Sequence, residues 1–222
     1  MNEYIQKSFD ESGQKVLINS IQTFVLETLP PDFDLEYVLQ TVREAIPEHL
    51  IYGLESILIG KFDDLEEKDY NAVYKDGAIY VTNEQNDEDD LVEDIIHEIA
   101  HLVEDQLGYH IYDDRKVVDE FLGKRGKLYE ILNSEGYNIP REYFYELEYN
   151  EEFDHFLHKV VGYEKLTYLS MGLFISPYAI TNLREYFAKS FQRYFMNEME
   201  HVKTLTPAVF QKIEFLVYKK HE

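Results

Sequence analysis

Residues 97–101 read His97-Glu98-Ile99-Ala100-His101, inside a stretch with helical periodicity. Two histidines four apart on a helix differ by about 40° around the axis and about 6 Å along it, so both rings leave one face. One divalent ion can then take a nitrogen from each. Glu98 is rotated by about 100° from His97 and falls beside such an ion, where its carboxylate can hold and deprotonate a metal-activated water. This is the chemistry of hydrolysis, with Zn2+ as the expected cofactor. The bland alternative is a pair of half-buried helix histidines bonded to backbone or carboxylates.

A hydrolytic zinc site needs a third protein ligand and an open fourth position. A third histidine six residues beyond His101 would complete one long motif, but that position is Leu107, and Glu104 stands where the same motif has glycine. His110 is near at the wrong spacing, which leaves a glutamate from a later helix, Glu120 or Glu185. The other histidines, His155 and His158 among them, read as surface residues.

The elements that must carry these groups follow from periodicity and punctuation. Val16, Leu17, Ile21, Phe24, Val25 and Leu29 recur at helix-like intervals and predict an amphipathic helix over 14–29, stopped by Pro30-Pro31. Asp34 caps a second helix that ends at Pro47. Leu54 to Ile59 suits a buried strand. Ala72–Lys75 and Ala78–Thr82 flank Asp76-Gly77, a strong hairpin signal. The acidic run 86–90 suits the positive end of a helix over about Asp87 to Gln106, with Gly108 as its stop. Helices are expected over about 115–134, 141–160, 163–172, 181–198 and 206–219. In the fourth of these Phe187, Phe191, Tyr194 and Phe195 form an apolar stripe, while Glu185, Ala188 and Gln192 share another face. The fold class is α+β: a helical part over 1–50, a small mixed sheet and the active-site helix over 51–110, and a mostly helical part over 111–222.

Composition narrows the partners. With 21 Lys and Arg against 44 Asp and Glu in 222 residues, the net charge of −23 repels phosphate backbones and argues against nucleic acid. The acidity serves solubility, or attracts a basic peptide or protein substrate. The absence of cysteine excludes thiol catalysis and cysteine-ligated metal. No stretch approaches 18 apolar residues, so no membrane span is expected. The start MNEYIQKSFDESGQKV has no basic region followed by an apolar one, so no secretion signal is expected. A cytoplasmic or virion-associated location is favoured; a mature secreted form would look the same.

HEIAH, taken with PYAITNLREYFAKSFQRYF over 177–195, resembles the lethal-factor-like zinc metallopeptidases, which include the anthrax lethal factor catalytic domain and the Pro-Pro endopeptidases. The resemblance covers roughly 72–218. The family carries a pattern like E-[FY]-F-A-x-x-F whose first glutamate is the third zinc ligand, and here that pattern is Glu185 to Phe191. The resemblance thus implies a single zincin-like domain over 1–222, of gluzincin type, with His97, His101 and Glu185 as metal ligands. It also implies that Tyr178, seven residues before Glu185, lies near the metal-bound oxygen. Ala100 and Glu104 stand where the family often has Gly and Asp.

Two functions follow as expectations. In the first the chain is a zinc endopeptidase with Glu98 as general base and Tyr178 as donor to the oxyanion. The strand at 78–82, if it forms the sheet edge, would then pair with an extended peptide. In the second it is a zincin-fold structural or interaction protein of a phage or mobile element, with weak turnover or none.

Overall fold

The computed structural model describes residues 14–18, 21–67 and 70–218, with side chains described from residue 21 onward. Its architecture is α+β. The chain divides into two compact units, the first ending at Val103 and the second beginning at Glu104.

The first unit is built on a five-stranded mixed sheet of order β1-β2-β3-β5-β4. The strands are β1 (Gln14–Ile18), β2 (Ile21–Val25), β3 (Ser56–Gly60), β4 (Ala72–Lys75) and β5 (Ala78–Thr82). β1 and β2 form an antiparallel pair, as do β4 and β5, while β3 runs parallel to both β2 and β5. The helix expected over 14–29 is therefore overturned: Gln14–Ile18 and Ile21–Val25 are strands, and the described residues after them are neither helix nor strand. Ile21, Thr23 and Val25 alternate β-branched residues at period two, and pairing with β3 wins over the coincident helical spacing.

β3 lies between two parallel neighbours, and its Ile57, Leu58 and Ile59 are all nearly or fully buried. That accounts for its continuous apolar run. On one face Leu58 packs with Phe24 and Ala78, partly covered by Leu26, Phe62 and Tyr80. The hairpin turn has Asp76 at φ 50° and Gly77 at φ 81°, the two left-handed residues that a two-residue loop requires. This return makes β4 the edge strand and leaves β5 inside, between β3 and β4. The expectation of an edge at 78–82 is thus corrected to 72–75.

Helix α1 (Leu35–Ala45) starts at Asp34, whose side chain accepts from the Tyr37 N–H at 2.9 Å, and buries Val38, Leu39 and Val42. A short helix α2 (Asp63–Glu66) follows β3. Helix α3 (Glu88–Tyr112) carries the His-Glu-His segment. Its three leading acids sit where the helix dipole favours them. Leu91, Val92, Ile95, Ile96, Ile99, Ala100, Leu102 and Val103 are 1% exposed or less, which fixes its rotation. α3 runs through Gly108 instead of stopping there. Ile111, fully buried one turn later, rewards continuation, and the left-handed residue that breaks the chain is Arg115 at φ 61°.

The second unit is helical. α4 spans Lys116–Ser134 and α5 Glu151–His155, the latter merging into a π-helical turn over Phe156–Gly162. α6 (Tyr163–Leu169), α7 (Leu183–Phe195), α8 (Met199–Leu205) and α9 (Pro207–Tyr218) follow. The helix expected over 141–160 is instead a 3-10 turn at Arg141–Tyr145, a break, and α5, which Asn150 caps by accepting from the Phe153 N–H. In α4 the core position 125 is an arginine. Arg125 is fully buried, donates to the carbonyls of Tyr143 and Glu146, and lies over the rings of Phe121 and Phe153.

Candidate metal centre

His97 and His101 leave the same face of α3, with ring centroids 5.0 Å apart and ring planes at 86°. One ligand atom from each of His97, Glu98 and His101 lies within 4.8 Å of the others. Two imidazole nitrogens sharing a tetrahedral zinc stand about 3.4 Å apart, so a modest ring rotation brings the pair onto one ion. His97 is 8% exposed and Glu98 5%, with His101 half-buried. A carboxylate this buried demands hydrogen-bond donors. One is the backbone N–H of Tyr74 in the edge strand, 2.5 Å from Glu98 Oε2. The sheet thereby orients the carboxylate.

One turn beyond His101, Glu104 is a second buried carboxylate on the same helix. It accepts from the Tyr112 hydroxyl at 2.5 Å and from Arg184 Nε at 2.7 Å. Burial, and then the Glu104 charge, push the Tyr112 hydroxyl well above its usual pKa, so it acts here as a donor. Burial works against the Arg184 charge, but the Glu104 hydrogen bond and charge outweigh it and raise that pKa.

Of the other expected site residues, Tyr178 is half-buried in a 3-10 turn, Tyr178–Ile180, with Lys189 Nζ 5.8 Å from its ring centroid. Glu185 occupies the first turn of α7, where Asn182 caps the helix by accepting from the Glu185 N–H at 2.9 Å. Its Oε2 is buried. Among the described residues the cluster of ligand atoms comprises His97, Glu98 and His101, and neither Glu185 nor Glu120 is within it. Glu120 is committed elsewhere: Oε1 accepts from the Tyr186 hydroxyl at 2.8 Å and Oε2 from the Ala208 N–H at 2.9 Å.

Three participants escaped the sequence reading. The Tyr74 N–H left no trace, because a backbone donor has no residue type. Arg184 and Tyr112 could have been suspected, since Glu104 on the apolar side of a helix needs a cation or donor. His158, expected at the surface, is half-buried and pairs with Asp154 at 2.9 Å.

No family model matches the chain, and neither the curated proteins nor the solved structures include one similar to it.

Proposed function

We propose that this chain is a zinc-dependent endopeptidase with a zincin-like fold, of the lethal-factor-like kind. The observation that carries the reading is the convergence of one ligand atom each from His97, Glu98 and His101 within 4.8 Å on one helix. The observed cluster supplies the two imidazoles that, with a carboxylate, are a hydrolytic zinc site's usual ligands. His97, His101 and Glu185 would hold it. The resemblance of Glu185 to Phe191 to the E-[FY]-F-A-x-x-F pattern points to Glu185, and Glu120 is committed to Tyr186 and Ala208. When bound, zinc supplies a water of lowered pKa and polarises the scissile carbonyl.

The chain's own residues do the rest. Glu98 accepts the proton of the attacking water and passes it to the leaving amine. Its orientation is set in advance by the Tyr74 N–H. Tyr178 donates its phenolic proton in a hydrogen bond to the oxyanion. β4, as the edge strand, is the element to which an extended peptide adds. The substrate is a peptide or protein, and an acidic chain of net charge −23 favours a basic one. Nucleic acid is disfavoured by the same charge, and no helix among the described residues is long and apolar enough to cross a membrane.

The test is an unbiased peptide library, digested by zinc-loaded protein and by Glu98→Gln. Cleavage that falls by about two to four orders of magnitude in the variant, with zinc content unchanged, supports the mechanism. Equal cleavage by both proteins refutes the role of Glu98, and no cleavage by either refutes the peptidase reading.

A further inference from the structure

Lys124 lies on α4 one turn after Glu120 and is half-buried. Its Nζ donates to the carbonyl of Leu205, the last residue of α8, and sits 5.1 Å from the centroid of the Tyr186 ring on α7. That carbonyl is one of the acceptors a helix end leaves unpaired, and a cation there suits the negative end of the dipole. Lys61, Lys116, Lys165, Lys203 and Lys212 each pair with a carboxylate at 3.7 Å or less. Among the described residues Lys124 has a neutral carbonyl and a ring in place of a carboxylate. Glu120 does not serve it as a partner, because its two oxygens accept from Tyr186 and Ala208. An ammonium that exchanges water for neutral partners loses hydration, which favours the uncharged amine. Burial accordingly brings Lys124 down to about 8, against the opposing pull of the Glu120 charge and with a smaller push from Lys127. The uncharged amine is the nucleophile. At pH 7.5 about a quarter of such a group is uncharged, against about a thousandth of an ordinary lysine.

We propose that Lys124 is an acylation site: its ε-amine, half withdrawn from water beside the Tyr186 ring and the end of α8, takes an acyl group from a small acyl phosphate. The nitrogen lone pair attacks the acyl carbon. The bond from that carbon to the phosphate oxygen breaks, and inorganic phosphate departs with the electron pair. The amine proton passes to water, and the product is an uncharged amide. Acylation removes the cation from the end of α8 and adds bulk where side chains of α4 and α7 meet α8. α4 holds the corner between α8 and α9 through Lys124 at Leu205 and through Glu120 at Ala208, so the modification loosens that corner at its α8 side. The site lies wholly within the helical second unit and is independent of the metal centre.

The experiment treats the full chain with acetyl phosphate and follows acetylation of each lysine by peptide mass spectrometry. Lys127, exposed on the same helix, is the internal standard. At neutral pH Lys124 should react about tenfold faster than Lys127, the larger uncharged fraction being partly offset by a lower intrinsic nucleophilicity. In concentrated urea the ratio should fall to about one, because the burial that makes the difference is gone. The Lys124 rate should level off above about pH 8. Glu120→Gln removes the charge that favours the ammonium, and should speed Lys124 further relative to Lys127. Lys124→Gln, which resembles the acetylated side chain, should lower the urea midpoint more than Lys124→Arg, which keeps the cation. A Lys124 that reacts no faster than Lys127, or a ratio that is the same in the folded chain and in urea, overturns the site. Equal midpoints for the Gln and Arg variants overturn its effect on the corner between α8 and α9.

Discussion

Glu120 and Glu185 are both carboxylates on helices that follow α3, and replacing each by glutamine should produce opposite phenotypes. Glu120 joins three helices. It lies on α4, accepts from the hydroxyl of fully buried Tyr186 on α7, and accepts from the Ala208 N–H in the first turn of α9. That N–H is one of the donors a helix start cannot satisfy internally, so Glu120 serves as a cap supplied from another helix. Gln retains one carbonyl oxygen for Ala208 and turns its amide toward Tyr186, whose hydroxyl can rotate to accept. What disappears is the charge assistance, about 1 kcal/mol at each bond, and the attraction to the positive end of α9, about 0.3–1 kcal/mol. The sum is about 2–3 kcal/mol, or about 5–10 °C for a chain of this size. Zinc affinity should stay within a few-fold. Glu185→Gln should instead weaken zinc binding by at least about 10–100-fold, with the zinc-free stability changed by less than about 1 kcal/mol. Thermal melts of the zinc-free proteins and chelator competition on the same preparations measure both quantities. A Glu120→Gln protein that melts normally but loses zinc would refute the reasoning, and would move the third ligand to α4.

Two further outcomes are expected. Burial, reinforced by the Glu120 charge, holds the Tyr186 hydroxyl protonated far above its usual range. The unfolded chain therefore releases that proton near pH 10 while the folded chain keeps it, so stability present below pH 10 is lost as pH rises, at about 1.4 kcal/mol per pH unit. Tyr186→Phe should flatten the slope of urea midpoints between pH 10 and 11, and an unchanged slope would contradict the assignment. Chelating the metal should lower the melting temperature only moderately, because a core of this size folds without it; a scan showing the zinc-free chain unfolded at 25 °C would be inconsistent with that.

The parts of the fold legible in the sequence are those where local and tertiary preferences coincide. The Asp76-Gly77 hairpin was read with both strands in place, because its turn admits few residue types. α4 and α7 are legible to within a few residues, and the apolar stripe of α7, Phe187, Phe191, Tyr194 and Phe195, is buried. The helix expected at β2 fails because Ile21 and Val25, four apart, fit either period, and only pairing with β3 decides between them. The end of α3 was misplaced because Gly108 stops a helix only where the chain beyond has nothing to bury, and Ile111 does. At the candidate site His97, Glu98 and His101 were legible from one four-residue spacing. The pairing of Arg184 with Glu104 leaves no local signal, because the partners are 80 positions apart.

The bond from Tyr74 N–H to Glu98 places an unusual demand on the gene. The donor belongs to the main chain, so no change of side chain at 74 removes it except to proline. The information that aims the proposed base resides instead in the turn two residues further on. Asp76-Gly77 sets Tyr74 opposite Ile79, and a one-residue slip in that register would aim the 74 N–H at β5 and away from α3. A lengthened or shortened turn would thus act as a lesion at Glu98 while leaving every residue of the His-Glu-His segment in place.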